Sequence, residues 1–481
     1  MATIIGRKKE IAELNELYES DRAQFVAVYG RRRIGKTFLI DEALKDRITF
    51  RHAGMSPIND LGERNMIKEQ LHNFFFSLQT HGWKEKEEPA SWTEAFVMLE
   101  KLLMSMKGQG RQVVFMDEMP WMDTPRSNFI SALEYFWNSW GCHRDNLMLI
   151  VCGSATSWIL NNLINNHGGL YGRVTHEICL SPFTLSECEE YYEAKGIRMS
   201  RYDIVQAYMI LGGVPFYLDY LRKDNSLAQN IDELFFSKKA KLRDELQRLL
   251  SSVFSNPEEM KKIITLLSTK RAGFTRKAIS EKLGITTGKG LTEMLKALIA
   301  SDFVIKYVPF GMSKRDIHYK LIDPFCKFYL KFVEGHDTLD TEFWSNNQTS
   351  QSIISWRGLA FEDVCLNHID KIKAALGISG VITTQSAWAI EGDDDKQGTQ
   401  IDLLINRRDN VVNMCEMKFY SDEFEVNEGY YRTIYRRIDT LMRQLPKRTS
   451  IHSTLITTYG LKYGKYSGCF IKVVTIDDLF K

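Results

Sequence analysis

The sequence is poor in proline and in long apolar runs, and each shortage excludes something. Proline occurs 10 times in 481 residues, so proline-rich linkers do not mark the domain boundaries. The longest apolar run, Leu147 to Cys152, is far shorter than the roughly 18 residues that a membrane helix needs. The first ten residues lack the apolar segment of a signal peptide. The expected protein has no membrane segment and resides in the cytoplasm.

Cysteine and net charge are also limited. The 8 cysteines form no C-x-x-C pair, so neither a zinc site nor a disulfide framework is expected, which agrees with a reducing compartment. Lysine and arginine number 63 against 61 acidic residues, a net charge of +2, so any nucleic-acid surface must be local. Hydrophobic residues make up 44% of the chain, which is typical of a globular protein.

The length and the changes of pattern predict an α/β multidomain protein. Apolar runs alternate with helical stretches over residues 1–180, which predicts an α/β domain with a largely parallel sheet. Residues 181–255 are predicted to form a helical lid, 256–332 three helices and a strand pair, and 333–350 a polar linker. Helices and strands mix again over residues 351–481.

A phosphate-binding loop follows the first apolar strand. The string G-x-x-x-x-G-K-T stands between a predicted strand, residues 25–29, and a predicted helix, which is the setting this motif requires. Its glycines let backbone N–H groups close around phosphates, while the lysine neutralises β- and γ-phosphate charge and the threonine binds Mg²⁺. The residues assigned to ATP here are Gly30, Arg31, Arg32, Arg33, Ile34, Gly35, Lys36, Thr37 and Phe38.

An acidic pair follows a second apolar strand, residues 113–116. Asp117 is expected to complete the Mg²⁺ shell with Thr37, and Glu118 to act as the general base that polarises the attacking water. The alternative is a strand that merely ends in two acids.

Two further residues are candidates for the same reaction. Ser154 follows the strand 147–152 and is either a γ-phosphate sensor or the N-cap of a helix. Arg173 precedes the next predicted strand and is either an arginine finger for a neighbouring subunit's nucleotide or a solvated loop residue.

These motifs, in this order, resemble the prokaryotic STAND-type branch of the AAA+ ATPases. The resemblance rests on residues 6–10, the phosphate loop, residues 116–118 and the Gly-Gly-Val-Pro segment at 212–215. It implies a nucleotide-driven switch in which Gly6, Arg7 and Pro215 lie near the adenine. A Gly-Gly-x-Pro break is also ordinary turn chemistry.

Residues 261–315 carry an excess of nine positive charges, with twelve Lys or Arg against three acids. The predicted helices 275–283 and 287–299, followed by a hairpin around Gly311, resemble a winged helix-turn-helix. The alternative is a winged helix that packs only against protein. The residues that would be offered to DNA are Thr287, Lys289, Thr292, Lys314 and Arg315.

The C-terminal region brings carboxylates together. A predicted hairpin of strands 400–406 and 411–419 places Asp402 near Glu416, with Lys418 on the same face as Glu416. Upstream, residues 356–376 are predicted as one helix on which Glu362 shares a face with Leu359, Leu366 and Ile369. A carboxylate on an apolar face needs compensation, which a metal shared by the three acids would supply. The alternative is a glutamate at the edge of that face, in contact with water.

Glu362, Asp402, Glu416 and Lys418 resemble the motif of the PD-(D/E)xK restriction-endonuclease-like fold, although no proline precedes Asp402. The resemblance implies Mg²⁺ or Mn²⁺ on the acids and a lysine that positions or activates water. A predicted helix at 430–448, rich in arginine and tyrosine, either tracks a phosphate backbone or is a solvated face.

The whole arrangement resembles a family of archaeal and bacterial ATPases with a C-terminal domain of unknown function. The first hypothesis is an ATP-hydrolysing protein that acts on DNA through a metal-dependent nuclease domain gated by nucleotide state. The second is an ATP-driven regulatory switch whose C-terminal domain binds DNA or a protein without cutting. The expected partners are ATP, DNA and further copies of the chain.

Overall fold

A computed structural model of the chain describes residues 4–56, 63–106, 110–165, 168–254, 256–286, 288–313, 315–336, 339–390 and 399–481. The chain divides into two compact units, residues 1–181 and 182–481. Among the described residues, no helix combines the length and the apolar character needed to cross a bilayer.

The first unit is built around a parallel sheet. Within the described residues its five strands stand in the order β2-β3-β4-β1-β5. Near-continuous apolar strands are typical of a parallel sheet that is covered on both faces, and β3 and β4 are buried throughout. The strands are β1 (Gln24–Tyr29), β2 (Ile48–Ala53), β3 (Gln112–Asp117), β4 (Leu147–Gly153) and β5 (His176–Cys179).

Two apolar cores lie on the two faces of this sheet. Phe25 and Ala27 of β1 belong to one core, whereas Val26 and Val28 belong to the other, because successive side chains of a strand point to opposite faces. The helices of the unit are α1 (Lys8–Glu19), α2 (Lys36–Leu44), α3 (Glu63–Thr80), α4 (Trp92–Ser105), α5 (Phe129–Ser139) and α6 (Thr156–Ile159).

The second unit begins with helices. The Gly212–Gly213 break separates α8 from α9, as the sequence predicts. The helices up to residue 268 are α7 (Leu185–Ala194), α8 (Arg201–Leu211), α9 (Pro215–Leu218), α10 (Leu227–Ile231), α11 (Glu245–Val253) and α12 (Pro257–Ser268).

A small antiparallel sheet follows α12. Its strands stand in the order β6-β8-β7 and enclose two helices in the chain. Thr275 caps the first of these helices by accepting a hydrogen bond from the Ala278 N–H, and Gly284 ends that helix with a left-handed backbone. The elements are β6 (Phe274–Thr275), α13 (Arg276–Leu283), α14 (Lys289–Ala300), β7 (Val304–Tyr307), β8 (His318–Leu321) and α15 (Pro324–Phe328).

The C-terminal part of the second unit has a mixed sheet in the order β13-β12-β11-β10-β9. Strands β9, β10 and β11 pair antiparallel, and β11, β12 and β13 pair parallel. The elements are α16 (Phe343–Asn346), α17 (Gln351–Asn367), α18 (Ile369–Ala375), β9 (Thr383–Ile390), β10 (Thr399–Arg407), β11 (Val411–Lys418), α19 (Glu428–Met442), β12 (Ser450–Thr457), β13 (Lys472–Thr475) and α20 (Ile476–Leu479).

Two predictions about this region are wrong. The segment 333–350 is not a plain polar linker, because it contains α16, whose buried Trp344 packs on the rings of Phe328, Phe332 and Trp356. The single helix predicted for 356–376 is two helices, α17 and α18, which are interrupted at His368. The buried His368 ring accepts a hydrogen bond from the Leu185 N–H over 3.0 Å.

Candidate functional site

The phosphate loop joins the end of β1 to the start of α2. Gly35 adopts a left-handed backbone with φ 87° and immediately precedes Lys36, the first residue of α2. Gly30 has φ 141°, and a Cβ atom there would lie 2.1 Å from the Leu180 carbonyl oxygen. Both glycines are therefore required by the backbone path of the loop.

Lys36 is buried inside this loop. Its Nζ donates to the carbonyl oxygens of Gly30 and Arg31 over 3.0 and 2.9 Å, and to the Ser154 Oγ over 3.1 Å. Burial lowers the pKa of the Lys36 ammonium, although Glu118 and Asp117 oppose the shift. A cation in this position has its charge next to the loop that would enclose phosphates.

The acidic pair lies beside the loop. The Thr37 hydroxyl donates to the Asp117 carboxylate over 2.8 Å, across 80 positions of sequence. The Glu118 carboxylate accepts the Ser154 hydroxyl over 2.7 Å and the Ser154 backbone N–H over 3.1 Å. A continuous chain of hydrogen bonds therefore runs from Lys36 through Ser154 to Glu118.

The N-cap interpretation of Ser154 is wrong. The residue that precedes α6 is Ala155, which has no capping side chain, whereas the Ser154 hydroxyl is used between Lys36 and Glu118.

Arg7 connects the N-terminal segment to the phosphate loop. Gly6 and Arg7 both have left-handed backbones, and the Arg7 guanidinium donates to the carbonyl oxygens of Ile34 and Ser181 over 3.4 and 2.7 Å. These contacts place Arg7 against the phosphate loop, and the position of this segment near the adenine stays a prediction.

The remaining predicted nucleotide residues vary in exposure. Arg31 is buried, Arg32 and Arg33 are half-buried, and Phe38 is exposed on α2. Arg173 is exposed in the turn before β5, so its role as a finger stays a prediction. Pro215 is the first residue of α9 in the second unit, and its role at the adenine also stays a prediction.

The second cluster lies on the hairpin of β10 and β11. Leu403 pairs with Cys415 in antiparallel register, which brings the preceding Asp402 next to Glu416. The pairing of β10 with β9 shifts between Ile401 and Leu404, an irregularity of the kind that re-aims side chains near sites. A cavity of about 350 Å³ is lined by both acids together with Glu362 and Lys418.

Arg271, which no sequence pattern assigns to this site, lies among the acids. The same guanidinium nitrogen, Nη2, contacts a carboxylate oxygen of Glu362 and one of Asp402. Burial and the neighbouring Asp402 raise the pKa of Glu362 to about 7, although Arg271 opposes the shift. Burial lowers the pKa of Arg271, but the two carboxylates outweigh it and the net direction is upward.

Glu416 is paired with different groups. Its fully buried carboxylate contacts the Arg437 guanidinium and accepts the Tyr430 hydroxyl over 2.9 Å, while the Lys418 ammonium lies 3.8 Å away. The helix that carries Tyr430 and Arg437 is predicted either to track a phosphate backbone or to be a solvated face. Neither interpretation holds for these two residues, because α19 directs them onto Glu416.

The carboxylates of this cluster suit a hard cation, but arginine side chains already contact them. Carboxylate oxygens are the ligands that Mg²⁺ and Mn²⁺ prefer, and Glu362 and Asp402 converge on one cationic atom. In the described part of the chain, no three acidic, histidine or cysteine side chains gather closely enough to bind a metal. The predicted site of three acids, Glu362, Asp402 and Glu416, is therefore not formed in the described residues. Glu362 and Asp402 fit a divalent cation only as a pair, and only if Arg271 is withdrawn.

The apolar-face argument for Glu362 is wrong, although the side chain is buried. Leu359, on the predicted stripe, is 46% exposed, and the buried face of α17 contains Phe361 and Val364 instead. The helix begins five residues earlier than predicted. Its neighbour Asp363 is also buried and is clamped by Lys320 and Lys327, a pairing that no local sequence pattern signals.

The predicted DNA-binding residues are only partly described. Lys289 and Arg315 are exposed. The Thr292 hydroxyl instead accepts a hydrogen bond from the Arg276 guanidinium over 2.8 Å. Thr287 and Lys314 lie outside the described residues.

Comparison with known proteins supports the ATP-binding assignment. Residues 4–221 match the model of an ATPase domain found predominantly in Archaea. An uncharacterized protein of Methanocaldococcus jannaschii is 23% identical over 452 residues, which is 90% of this chain and 91% of that protein.

Solved structures are more distantly similar. A Walker-type ATPase of Pyrococcus abyssi is 18% identical, with 68% of this chain and 96% of that chain covered and a TM-score of 0.46. The ORC2 protein of Aeropyrum pernix is 13% identical, with 71% and 95% covered and a TM-score of 0.35. The match over residues 4–221 and the geometry of the phosphate loop together support ATP binding and hydrolysis by this part of the chain.

Proposed function

We propose that ATP hydrolysis at the phosphate loop controls a metal-dependent site on the C-terminal hairpin, and that this second site acts on DNA. The observation that carries the first half is the hydrogen-bonded chain Lys36–Ser154–Glu118, which lies beside the Thr37–Asp117 pair. The motifs at Gly6–Arg7 and Gly212–Pro215 support a finer assignment to the STAND-type branch of the AAA+ ATPases.

The side chains of the loop, and those beside it, each have a role in this reaction. Lys36 exchanges the loop carbonyls for phosphate oxygens, and Glu118 polarises the attacking water. Thr37 and Asp117 would hold Mg²⁺, which would neutralise charge on the β- and γ-phosphates. Ser154, which contacts both Lys36 and Glu118, transmits the presence of the γ-phosphate from the lysine to the base.

ATP turnover and ATP binding, measured separately, test these roles. Lys36→Ala should abolish both, since it removes the charge that faces the triphosphate. Glu118→Gln should keep binding and slow hydrolysis by roughly 10²- to 10⁴-fold, the usual contribution of a general base. Glu16→Gln, an exposed acid of α1, is the matched control. Wild-type turnover in Glu118→Gln would remove the assignment of the base.

We also propose that copies of the chain assemble and that Arg173 acts on the nucleotide of a neighbouring copy. It is exposed in the turn before β5, where it is accessible to the nucleotide of a neighbouring copy. Arg173→Ala should lower the specific ATPase activity at high protein concentration more than at low concentration. An equal effect at every concentration would assign Arg173 to its own subunit.

The C-terminal half of the proposal rests on the convergence of Glu362 and Asp402 with Glu416 and Lys418 around one cavity. These residues resemble the PD-(D/E)xK motif, apart from the missing proline before Asp402; in that motif acids bind Mg²⁺ or Mn²⁺ and the lysine positions water. The exposed Lys289 and Arg315 support contact with DNA phosphates through the winged-helix segment.

Incubation of the chain with plasmid, linear and single-stranded DNA, with and without ATP and Mn²⁺, tests this half. Lys418→Ala should abolish cleavage while ATP turnover persists. The exposed Lys462, which pairs with Glu425, provides the control Lys462→Ala. Cleavage that survives Lys418→Ala would assign the activity elsewhere.

A second candidate is an ATP-driven switch whose C-terminal domain binds DNA or a protein without cutting. The basic partners of all three acids favour it, because Arg271 and Arg437 already compensate the charges that a metal would otherwise neutralise. If wild type cuts no form of DNA under any of these conditions, this candidate replaces the nuclease.

A further inference from the structure

We propose that Arg271 is a competitor, built into the chain, for the divalent cation of the Glu362–Asp402 pair. Metal binding would then require withdrawal of the loop that carries this arginine. The inference rests on the proposed metal site and concerns its regulation.

The position of a single atom carries the argument. Arg271 Nη2 contacts both Glu362 Oε1 and Asp402 Oδ1, so the two oxygens lie within reach of one cation. The side chain of Glu362 is 9% exposed and that of Asp402 is 12% exposed, so little water is available to replace a missing partner. A bridging Mg²⁺ or Mn²⁺ would use these same two oxygens.

The loop that carries Arg271 is fixed by contacts with neighbouring residues of the winged-helix segment. It joins α12 to β6, and the Gly273 N–H donates to the Lys270 carbonyl oxygen over 2.9 Å. The Ala272 carbonyl oxygen accepts the Tyr307 hydroxyl over 2.8 Å. A Cβ atom on Gly273 would lie 1.9 Å from the Tyr319 carbonyl oxygen, so this path needs glycine.

The placement of Arg271 is therefore set by the winged-helix segment rather than by a flexible chain end. Movement of that segment would carry the guanidinium with it. The acids belong to a different part of the unit, with Glu362 on α17 and Asp402 on β10. A displacement of the first group of elements relative to the second would open the carboxylates to a metal.

Space and charge make the two cations mutually exclusive. One guanidinium against two carboxylates leaves a net charge of −1, whereas a divalent cation brings the pair to neutrality. Both together would place three positive charges against two negative ones, and Glu416 does not absorb the excess because it already pairs with Arg437. Repulsion at such short range in a partly buried cavity is severe.

Binding of Mn²⁺ to the full chain without nucleotide, measured by calorimetry and by the EPR signal of free Mn²⁺, tests the proposal. Arg271→Gln should tighten Mn²⁺ binding by roughly 10- to 100-fold, the worth of a hydrogen bond to a charged group. Lys270→Gln is the matched control, since it removes the same charge from an adjacent exposed residue and should leave the affinity unchanged. The gain should disappear in the double variant Arg271→Gln with Asp402→Asn.

Other outcomes would refute either the competition by Arg271 alone or the proposed metal site as well. If wild type and Arg271→Gln bind Mn²⁺ equally at a site that Asp402→Asn removes, the competition is refuted and the proposed metal site stands. If neither binds Mn²⁺ in a manner that depends on Asp402, both fail and the carboxylates serve only as partners of Arg271. Arg271→Lys keeps the positive charge and is therefore the variant expected to disturb folding least. It should bind Mn²⁺ with an affinity between those of wild type and Arg271→Gln.

Discussion

Asp363 offers the most direct test of how the second unit is stabilised. Its side chain is 4% exposed, and its two carboxylate oxygens face Lys320, at 3.5 Å, and Lys327. The lysine side chains are themselves only 10% and 24% exposed. Asp363→Asn keeps the shape of the side chain but removes the charge that compensates both ammonium groups.

The expected loss of stability is large. Removal of one partner from a buried ion pair costs about 3–5 kcal/mol, because the remaining charge stays desolvated. At about 2 °C of Tm per kcal/mol for a unit of this size, the transition should fall by roughly 6–10 °C. Glu281→Gln is the control: its pair with Lys277 spans 3.7 Å between side chains that are 63% and 82% exposed. That pair is worth about 0.3–0.5 kcal/mol, or roughly 1 °C.

Differential scanning calorimetry of the full chain measures both variants. A non-hydrolysable ATP analogue with Mg²⁺ should raise only the transition of the first unit, which identifies the other one. If Asp363→Asn lowers Tm no more than Glu281→Gln does, the buried pair is not a stabilising element and the reasoning fails.

Two further predictions concern pH and salt. The His368 ring accepts from the Leu185 N–H, and burial lowers its pKa to about 4, so the folded state keeps it neutral. The pKa of an unfolded histidine is about 6.5, so the unfolded state binds the proton first as the pH falls. The free energy of unfolding should therefore fall by up to about 1.4 kcal/mol for each pH unit of acidification between pH 6.5 and 4. His368→Gln should flatten that slope in an acid titration, and an unchanged slope would contradict it. Lys289→Gln with Lys314→Gln should reduce the slope of log DNA affinity against log salt by about 1.8, and an unchanged slope would indicate a winged helix that packs on protein.

Local signals in the sequence predicted well. The phosphate loop and the strand before it are contiguous, so spacing alone predicted β1 to within one residue and the start of α2 to within two. The β10–β11 hairpin closes over a short turn, and the alternation of side chains was enough to place its register. The half-polar edge strand β2, in contrast, carries Arg51 and His52 and was missed, because its pattern does not resemble a buried strand.

Pairs of charged side chains that are far apart in the sequence could not be predicted. Arg271 lies 131 positions from Asp402 and no periodicity links them. The burial of Asp363 next to Glu362 depends on which face of α17 meets β8 and α15, and the apolar stripe pointed to a different face. Charges buried in pairs leave no hydrophobic signature, so their partners emerge only when the chain is folded.

The ring cluster around Trp344 affects how this protein can be divided experimentally. A fragment that starts at residue 351, where the mixed-sheet portion begins on sequence grounds, would retain Trp356 but lose the rings of Phe328, Phe332 and Trp344 that surround it. The Trp356 ring would then be exposed to solvent, and such an exposed apolar surface would favour aggregation. Truncations that begin before Lys320 keep both this ring cluster and the two lysine partners of Asp363, and are the ones expected to remain in solution.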